Sequence, residues 1–199
     1  MGSKERIARE KAQVRKDILD AALEIIIEEG CLALSMRKIA DRIEYAVASI
    51  YEYFANKDTI LAELTGQGYT LLSEGLRKAA ARQKTPYAKL EAMWLAYWQF
   101  AFKHGELYKL MYGIQTSCPK PEAAILNATL PQQLFQEAIA VVLHAKDPEH
   151  KTVRDTYFSL WAMVHGLAAI NITNDQLSKE MNLRILKNAI GAIVRNQVS

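Results

Sequence analysis

The sequence predicts an all-α protein, and three observations carry that reading. Apolar residues recur at three- and four-residue intervals along essentially the whole chain, the spacing of one helix face. No segment shows the strict alternation of a half-buried strand. The breaks between periodic stretches carry helix punctuation, at Gly30, Ser35, Asn56, Thr85–Pro86 and Asp147–Pro148. The result is about nine helices, without repeats or low-complexity segments.

The first helix is expected from about Ala12 to Glu29, with Ile18, Ala22, Ile25 and Ile26 buried and Gly30 ending it. Two short helices then follow almost without a gap. Met36, Ile39, Ala40 and Ile43 form one apolar face behind Ser35, a natural N-cap. Val47, Ile50, Tyr51 and Phe54 repeat the spacing after a turn at Glu44–Ala46. Ala40 is small where the two helices must approach. Such a tight bihelical unit leaves the outer face of its second helix free to enter a DNA major groove. Asn56 caps a long fourth helix to about Arg82, and Thr85–Pro86 opens a fifth that ends near His104–Gly105. A short sixth helix, Glu106 to Tyr112, precedes a loop at Gly113–Pro121. The seventh runs to about Ala145 with a kink or split at Pro131. Asp147–Pro148 caps the eighth, to about Ile170, and Thr173 or Asn174 opens the ninth, to near Asn196.

The stretch from the first helix through the fourth resembles the DNA-binding domain of the tetracycline-repressor (TetR) family. The matching residues are Ile18–Leu19–Asp20–Ala21–Ala22, Gly30, Arg37, Ile39–Ala40, Ile50–Tyr51, Tyr53–Phe54, Asn56–Lys57–Asp58 and Leu61. Trp161–Leu167, WAMVHGL, resembles the Trp-His-Gly signature of one C-terminal subgroup. The resemblance implies a helix-turn-helix DNA-binding domain at residues 1–58 and a helical effector-binding and dimerisation domain at 59–199. It implies, position by position, that Tyr45, Ala46, Val47, Ala48, Ser49 and Glu52 face the bases. Tyr51 and Tyr53 would offer hydroxyls to phosphates, Lys57 a cation beside a helix N-terminus, and Arg37 a contact to backbone or guanine. Tyr51 and Phe54 equally suit the core of the three-helix unit, and Arg37 and Lys57 equally suit a solvated surface. Many relatives carry Gly at the turn where this chain has Glu44, which must then adopt positive φ.

Charge and composition bound the alternatives. The net charge is only +3, so placement matters more than bulk. Residues 1–16 carry six Lys and Arg against two Glu, whereas residues 17–60 carry four basic side chains against nine acidic. This arm reads either as a phosphate-seeking lead-in or as a solvated terminus. No run reaches the roughly 18 uncharged apolar residues of a membrane span, and no secretory signal is visible, so a cytoplasmic protein with no membrane partner is expected. Cys31 and Cys118 lie far apart and read as free thiols in a reducing compartment. The four histidines lack metal-ligand spacing, and no nucleophile elbow, phosphate loop or dinucleotide fingerprint occurs. Neither an enzyme, a metal site nor a cofactor is expected.

The later helices are rich in aromatic residues. These fill a helical core, or line an apolar cavity with a few polar groups. The resemblance favours an effector pocket among helices four to eight, with Tyr97, Trp98, Tyr157, Trp161 and His165 as its lining. The expected partners are a double-stranded operator, a largely apolar or aromatic small molecule and a second copy of the chain. The expected function is a ligand-responsive transcriptional repressor. A small-molecule-sequestering protein with a degenerate DNA surface is the alternative, and a protein-interaction module a third.

Overall fold

The computed structural model describes residues 2–114, 118, 125–174 and 177–198, and every regular element among them is helical. The chain runs α1 (Ser3–Glu29), a single 3-10 turn (Cys31–Ala33), α2 (Met36–Arg42), α3 (Val47–Tyr51) and α4 (Lys57–Ala81). Then come α5 (Pro86–Lys103), α6 (Gly105–Tyr112), α7 (Ile125–Val142), α8 (Lys151–Asn174) and α9 (Lys179–Val198). Of the expected loop Gly113–Pro121, only 113, 114 and 118 lie within the described residues. No described helix is long and apolar enough to cross a membrane.

Local chemistry explains where several helices start. Ser35 Oγ accepts the Lys38 amide at 3.2 Å, Asn56 Oδ1 accepts that of Thr59 at 3.0 Å, and Thr85 Oγ1 accepts that of Ala88 at 3.2 Å. Gly30 ends α1 at φ 83°, a conformation open to glycine at no steric cost. Other boundaries differ from expectation. Helix α1 begins nine residues early, because nothing in the basic arm breaks a helix and Arg6–Glu10 pairs along it at 3.6 Å. Pro131 lies inside α7 without splitting it. That helix stops at Val142, where His144 turns the chain at φ 54°. Asp147 Oδ1 caps a turn, accepting the Glu149 amide at 2.9 Å, and α8 starts only at Lys151. Thr173 does not open α9. Its hydroxyl donates to Ala169 O at 2.8 Å within α8, and Ser178 caps α9 instead, accepting the Met181 amide at 3.1 Å.

The chain divides into two compact units. One comprises residues 1–68 and 106–125, the other 69–105 and 126–199, so they part within α4. The core of the first joins Ile18, Ala22, Ile25 and Ile26 of α1 to Ile39 and Ala40 of α2 and Ile50 of α3. Ile60, Leu61 and Leu64 of α4 and Leu107 and Leu110 of α6 complete it. Gly68 allows α6 a close approach: a Cβ there would lie 2.7 Å from Met111 Sδ. Cys31 and Cys118 overturn their sequence reading as free thiols. Folding carries them together across 87 positions, to a Cα–Cα distance of 5.8 Å and a disulfide.

In the second unit α5 packs against α8 and α9, which also pack on each other. Trp94, Tyr97, Phe135, Leu160, Val164, Leu186 and Ile190 are among its most deeply buried residues.

Glu44 adopts φ 59° between α2 and α3. For a residue with a Cβ this region costs about 1–2 kcal/mol, more than the roughly 0.5–1 kcal/mol that glycine loses in chain entropy. Glu44→Gly should therefore raise stability by about 0.5–1 kcal/mol. An unchanged or lower urea midpoint at constant slope would contradict this.

Candidate DNA-reading face and effector core

The outer face of the bihelical unit is set by what its inner face buries. Ile39, Ala40 and Ile50 are wholly buried and Phe54 nearly so, which turns the opposite sides of α2 and α3 outward. Tyr45, Ala46, Ala48, Tyr51 and Glu52 are exposed there, and Arg37 and Lys57 are exposed beside them. Val47, Ser49 and Tyr53 are half-buried. Val47 and Tyr53 pack against the core, so Val47 presents only part of its side chain outward. Tyr51 settles its open role: at 54% exposure it is no core anchor, and Phe54 takes that place. Among the described residues Arg37 is held only by a long 3.9 Å pair to Asp41 within its own helix, leaving its guanidinium exposed.

The unit's acidic surplus is partly neutralised away from this face. Arg42 reaches Glu28 at 2.7 Å and Glu24 at 3.5 Å, and Lys38 pairs with Glu29. The Arg42 guanidinium beside Glu28 lowers that carboxyl below its ordinary range. Arg15 holds α1 to the end of α3 and the start of α4. It pairs with Glu63, donates to Tyr53 O at 2.9 Å and lies 4.2 Å over the Phe54 ring. Its role is absent from the sequence reading, because its partners lie 38 and 48 positions away.

In the second unit the five expected lining residues divide. Tyr97 is buried, and its hydroxyl accepts the Trp161 indole N–H at 3.1 Å while lying 3.1 Å from His165 Nδ1. Trp161 and His165 stack at 5.0 Å, so these three form one polar knot between α5 and α8. Tyr157 belongs to a ring cluster in which Trp94 stacks on Phe135 at 3.8 Å. Burial raises the phenol of Tyr157, and it pushes that of Tyr69 up to about 12, so both stay neutral. Trp98 stands apart from the knot. It walls a cleft of about 470 Å³ with Phe102, Lys103, Leu177 and Lys179, floored by the paired amides of Asn171 and Asn182.

Comparison with known proteins gives this arrangement a family. Residues 18–64 match the bacterial regulatory proteins of the tetR family, and residues 90–181 match the tetracyclin repressor-like C-terminal domain. The chain belongs to the tetR family. Among its tetR-like relatives, the HTH-type transcriptional repressor KstR of Mycolicibacterium smegmatis is 37% identical over 79 residues, 40% of this chain and 39% of that protein. The fatty acid metabolism regulator protein of Bacillus subtilis is 36% identical over 38% of this chain and 42% of its own length. The chain thus spans about two fifths of the length of these curated relatives. A solved protein of unknown function from Rhodococcus sp. RHA1 aligns with a TM-score of 0.78 at 21% identity, over 93% of this chain and 95% of that one. The transcriptional regulator FadR of Bacillus subtilis, solved in complex with stearoyl-CoA, aligns with a TM-score of 0.70 at 18% identity, over 90% and 97%. At those identities the likeness is one of fold. The Trp-His-Gly subgroup rests on Trp161, His165 and Gly166 alone.

Within the tetR-family head, Arg15 offers a direct test of what positions α3. Arg15→Ala should lower stability by about 1 kcal/mol, since its half-exposed ion pair is screened and its backbone and ring contacts supply most of the effect. Arg15→Lys should recover less than half, because one ammonium cannot satisfy three partners in different planes. Equal midpoints for the lysine variant and the native chain in urea would remove that role.

Proposed function

We propose that this chain is a ligand-responsive DNA-binding transcriptional regulator, a repressor that a small molecule releases from a palindromic operator. One observation carries the reading: in a tetR-family head, a short helix buries Ile50 and turns Tyr45, Ala46, Ala48, Tyr51 and Glu52 outward together. The similar KstR bears the name of a repressor, which supports the same sign of control. Such a regulator works where its DNA is, in the cytoplasm.

A two-fold dimer would present two α3 helices to half-sites related by the same symmetry. The exposed Phe158 and Ile170 on α8, with the half-buried Ile172, Leu183, Ile185, Ala189 and Ile193, support a seam on α8 and α9. Leu186 and Ile190 of α9 are wholly buried in the chain's own core and so lie off that seam.

The effector reading places an apolar or aromatic molecule among the rings of the second unit. Trp94 Nε1 and Gln136 Nε2 support it, being buried donors with no acceptor among the described residues. An unpaired buried donor costs about 1–3 kcal/mol, so a bound molecule offering a carbonyl oxygen would relieve that cost. The similar FadR holds stearoyl-CoA, an apolar chain joined to a carbonyl group. The sequestering alternative draws on α3 itself, where VASIY contains neither a basic side chain nor an amide.

A gel shift against the DNA upstream of its own coding sequence separates these readings, since only the regulator retards it. Lys57→Ala should then weaken binding to every sequence alike, and lower the slope of log affinity against log salt by about one unit per site. An unchanged slope would take Lys57 off the phosphates.

Release by a ligand is a linkage, so ligand and operator must weaken each other equally. A coupling of about 1–3 kcal/mol would lower operator affinity roughly 5- to 150-fold. The molecule that co-purifies with the protein, identified by native mass spectrometry, should bind operator-bound protein more weakly than free protein by calorimetry. Equal affinity in both states would leave a DNA-binding protein without an inducer.

A further inference from the structure

We propose that Cys31 and Cys118 form a reversible thiol-oxidation site whose closure weakens operator binding. The inference rests on the regulator reading above for its output, but not for its chemistry. Cys31 opens the 3-10 turn between α1 and α2, where the Leu34 amide donates to its carbonyl at 3.2 Å. Ser35, the N-cap of α2, follows directly. A bond at Cys31 therefore acts within one turn of the start of the bihelical unit. Cys118 lies between α6 and α7, inside the residues that match the C-terminal domain. Both cysteines are half-buried, and both pack against the apolar core of the first unit. They are sheltered enough to be held together and open enough to meet a small oxidant.

The chemistry balances with hydrogen peroxide as the oxidant. One cysteine thiolate attacks a peroxide oxygen, the O–O bond breaks, and a sulfenic acid and one water form after proton transfer. The second thiol then attacks that sulfur, closing the S–S bond and releasing another water. Two thiols have given up two electrons and two protons, and the peroxide has become two waters. A dithiol reductant reverses the bond by exchange. Where thiols are otherwise kept reduced, disulfides belong mainly to the transient, sensing kind. The geometry brings the partners within the 4.4–6.8 Å range of Cα separations that a disulfide requires, at 5.8 Å.

The closed bond ties the turn before α2 to residue 118, and the two helices lose freedom to settle on a half-site. Reduction restores that freedom. The oxidised protein should bind operator about fivefold or more weakly, the lower range of ordinary allosteric coupling.

The test starts from fully reduced full-length protein treated with hydrogen peroxide and then with an alkylating agent. The native chain should lose two hydrogens in mass, resist alkylation at both cysteines and yield one Cys31–Cys118 peptide pair. Hydrogen exchange over residues 31–54 should slow in the oxidised form, a readout that needs no DNA. Fluorescence anisotropy, on duplexes that the reduced protein selects from a random pool, should show the fivefold loss and its recovery with dithiothreitol. Cys31→Ser and Cys118→Ser should each bind those duplexes like the reduced native chain and ignore peroxide. Thiols that remain open to alkylation after peroxide, a link formed between chains, or equal operator affinity in both forms would overturn the proposal. If the reduced protein selects no duplex, the regulator reading fails. The mass and exchange measurements then decide the oxidation site by themselves, unchanged exchange counting against it.

Discussion

The turn joining α2 to α3 is the constraint on which the first unit depends. Only Ile43 and Glu44 separate Arg42 from Tyr45, and the Tyr45 amide reaches back to Ala40 O at 3.0 Å. That bond forms only because Glu44 accepts φ 59°, and the helices close only because Ala40, wholly buried, carries no more than a methyl group. Once the turn is fixed, α3 has one rotation available that buries Ile50. The identity of every outward residue then follows from helix geometry. The strain at Glu44 is local and small beside the apolar surface that α1, α2, α3 and α4 remove from water around it.

Charge placement works on the same scaffold at lower energy. The ion pairs of Arg42 with Glu24 and Glu28, and of Lys38 with Glu29, lie at the surface and add little stability. Their larger effect is on the field. Glu24, Glu28 and Glu29 each face a cation, whereas Arg37 and Lys57 keep exposed charge beside α3. A head that is acidic by composition can thereby still present a local attraction to phosphate. Extending α1 back to Ser3 contributes too, because Arg6 and Arg9 become positions on a helix face rather than points on a loose arm.

The parts legible in the sequence were those set by local chemistry. Caps at Ser35, Asn56 and Thr85 are short-range hydrogen bonds, and the positive φ of Glu44 was implied by the glycine that many tetR-family relatives carry at that turn. Core residues such as Ile18, Ile39 and Ile50 declare themselves by period. What the sequence left obscure depends on partners distant along the chain. Arg15 reads as one more basic residue of the arm until Glu63, Tyr53 and Phe54 surround it. Tyr51 follows the apolar period yet points outward, since Phe54 already fills the space beneath. Thr173 has the chemistry of a cap but bonds backward into α8. The cysteine pair is the extreme case, because only the folded chain closes an 87-residue separation. The effector residues were legible as aromatic and no further: period alone could not tell the knot of Tyr97, Trp161 and His165 from the cleft beside Trp98.

The composition of α3 limits how a regulator of this kind can choose its DNA. The strong base contacts come from Arg or Lys on guanine and Asn or Gln on adenine, each discriminating by about 1–3 kcal/mol. The segment Tyr45–Glu52 holds none of these four residue types. Its apolar members, Ala46, Ala48 and the outer part of Val47, suit thymine methyl groups, and Ser49 suits several bases. On the proposed reading, Glu52 would discriminate by a different route, accepting from cytosine N4 while repelling phosphate. Direct readout from α3 would therefore be weak per contact in the proposed regulator, and Arg37 would have to carry any bidentate contact. Affinity would then fall mainly to phosphate contacts near Tyr51, Tyr53 and Lys57, and selectivity to the fixed spacing between two heads and to the shape of the duplex they grip. Such a design makes operator choice depend on how the heads are held. A covalent tie at Cys31 or a ligand in the second unit would act on that same quantity, which is why a helix poor in base-reading side chains suits a regulator that must let go.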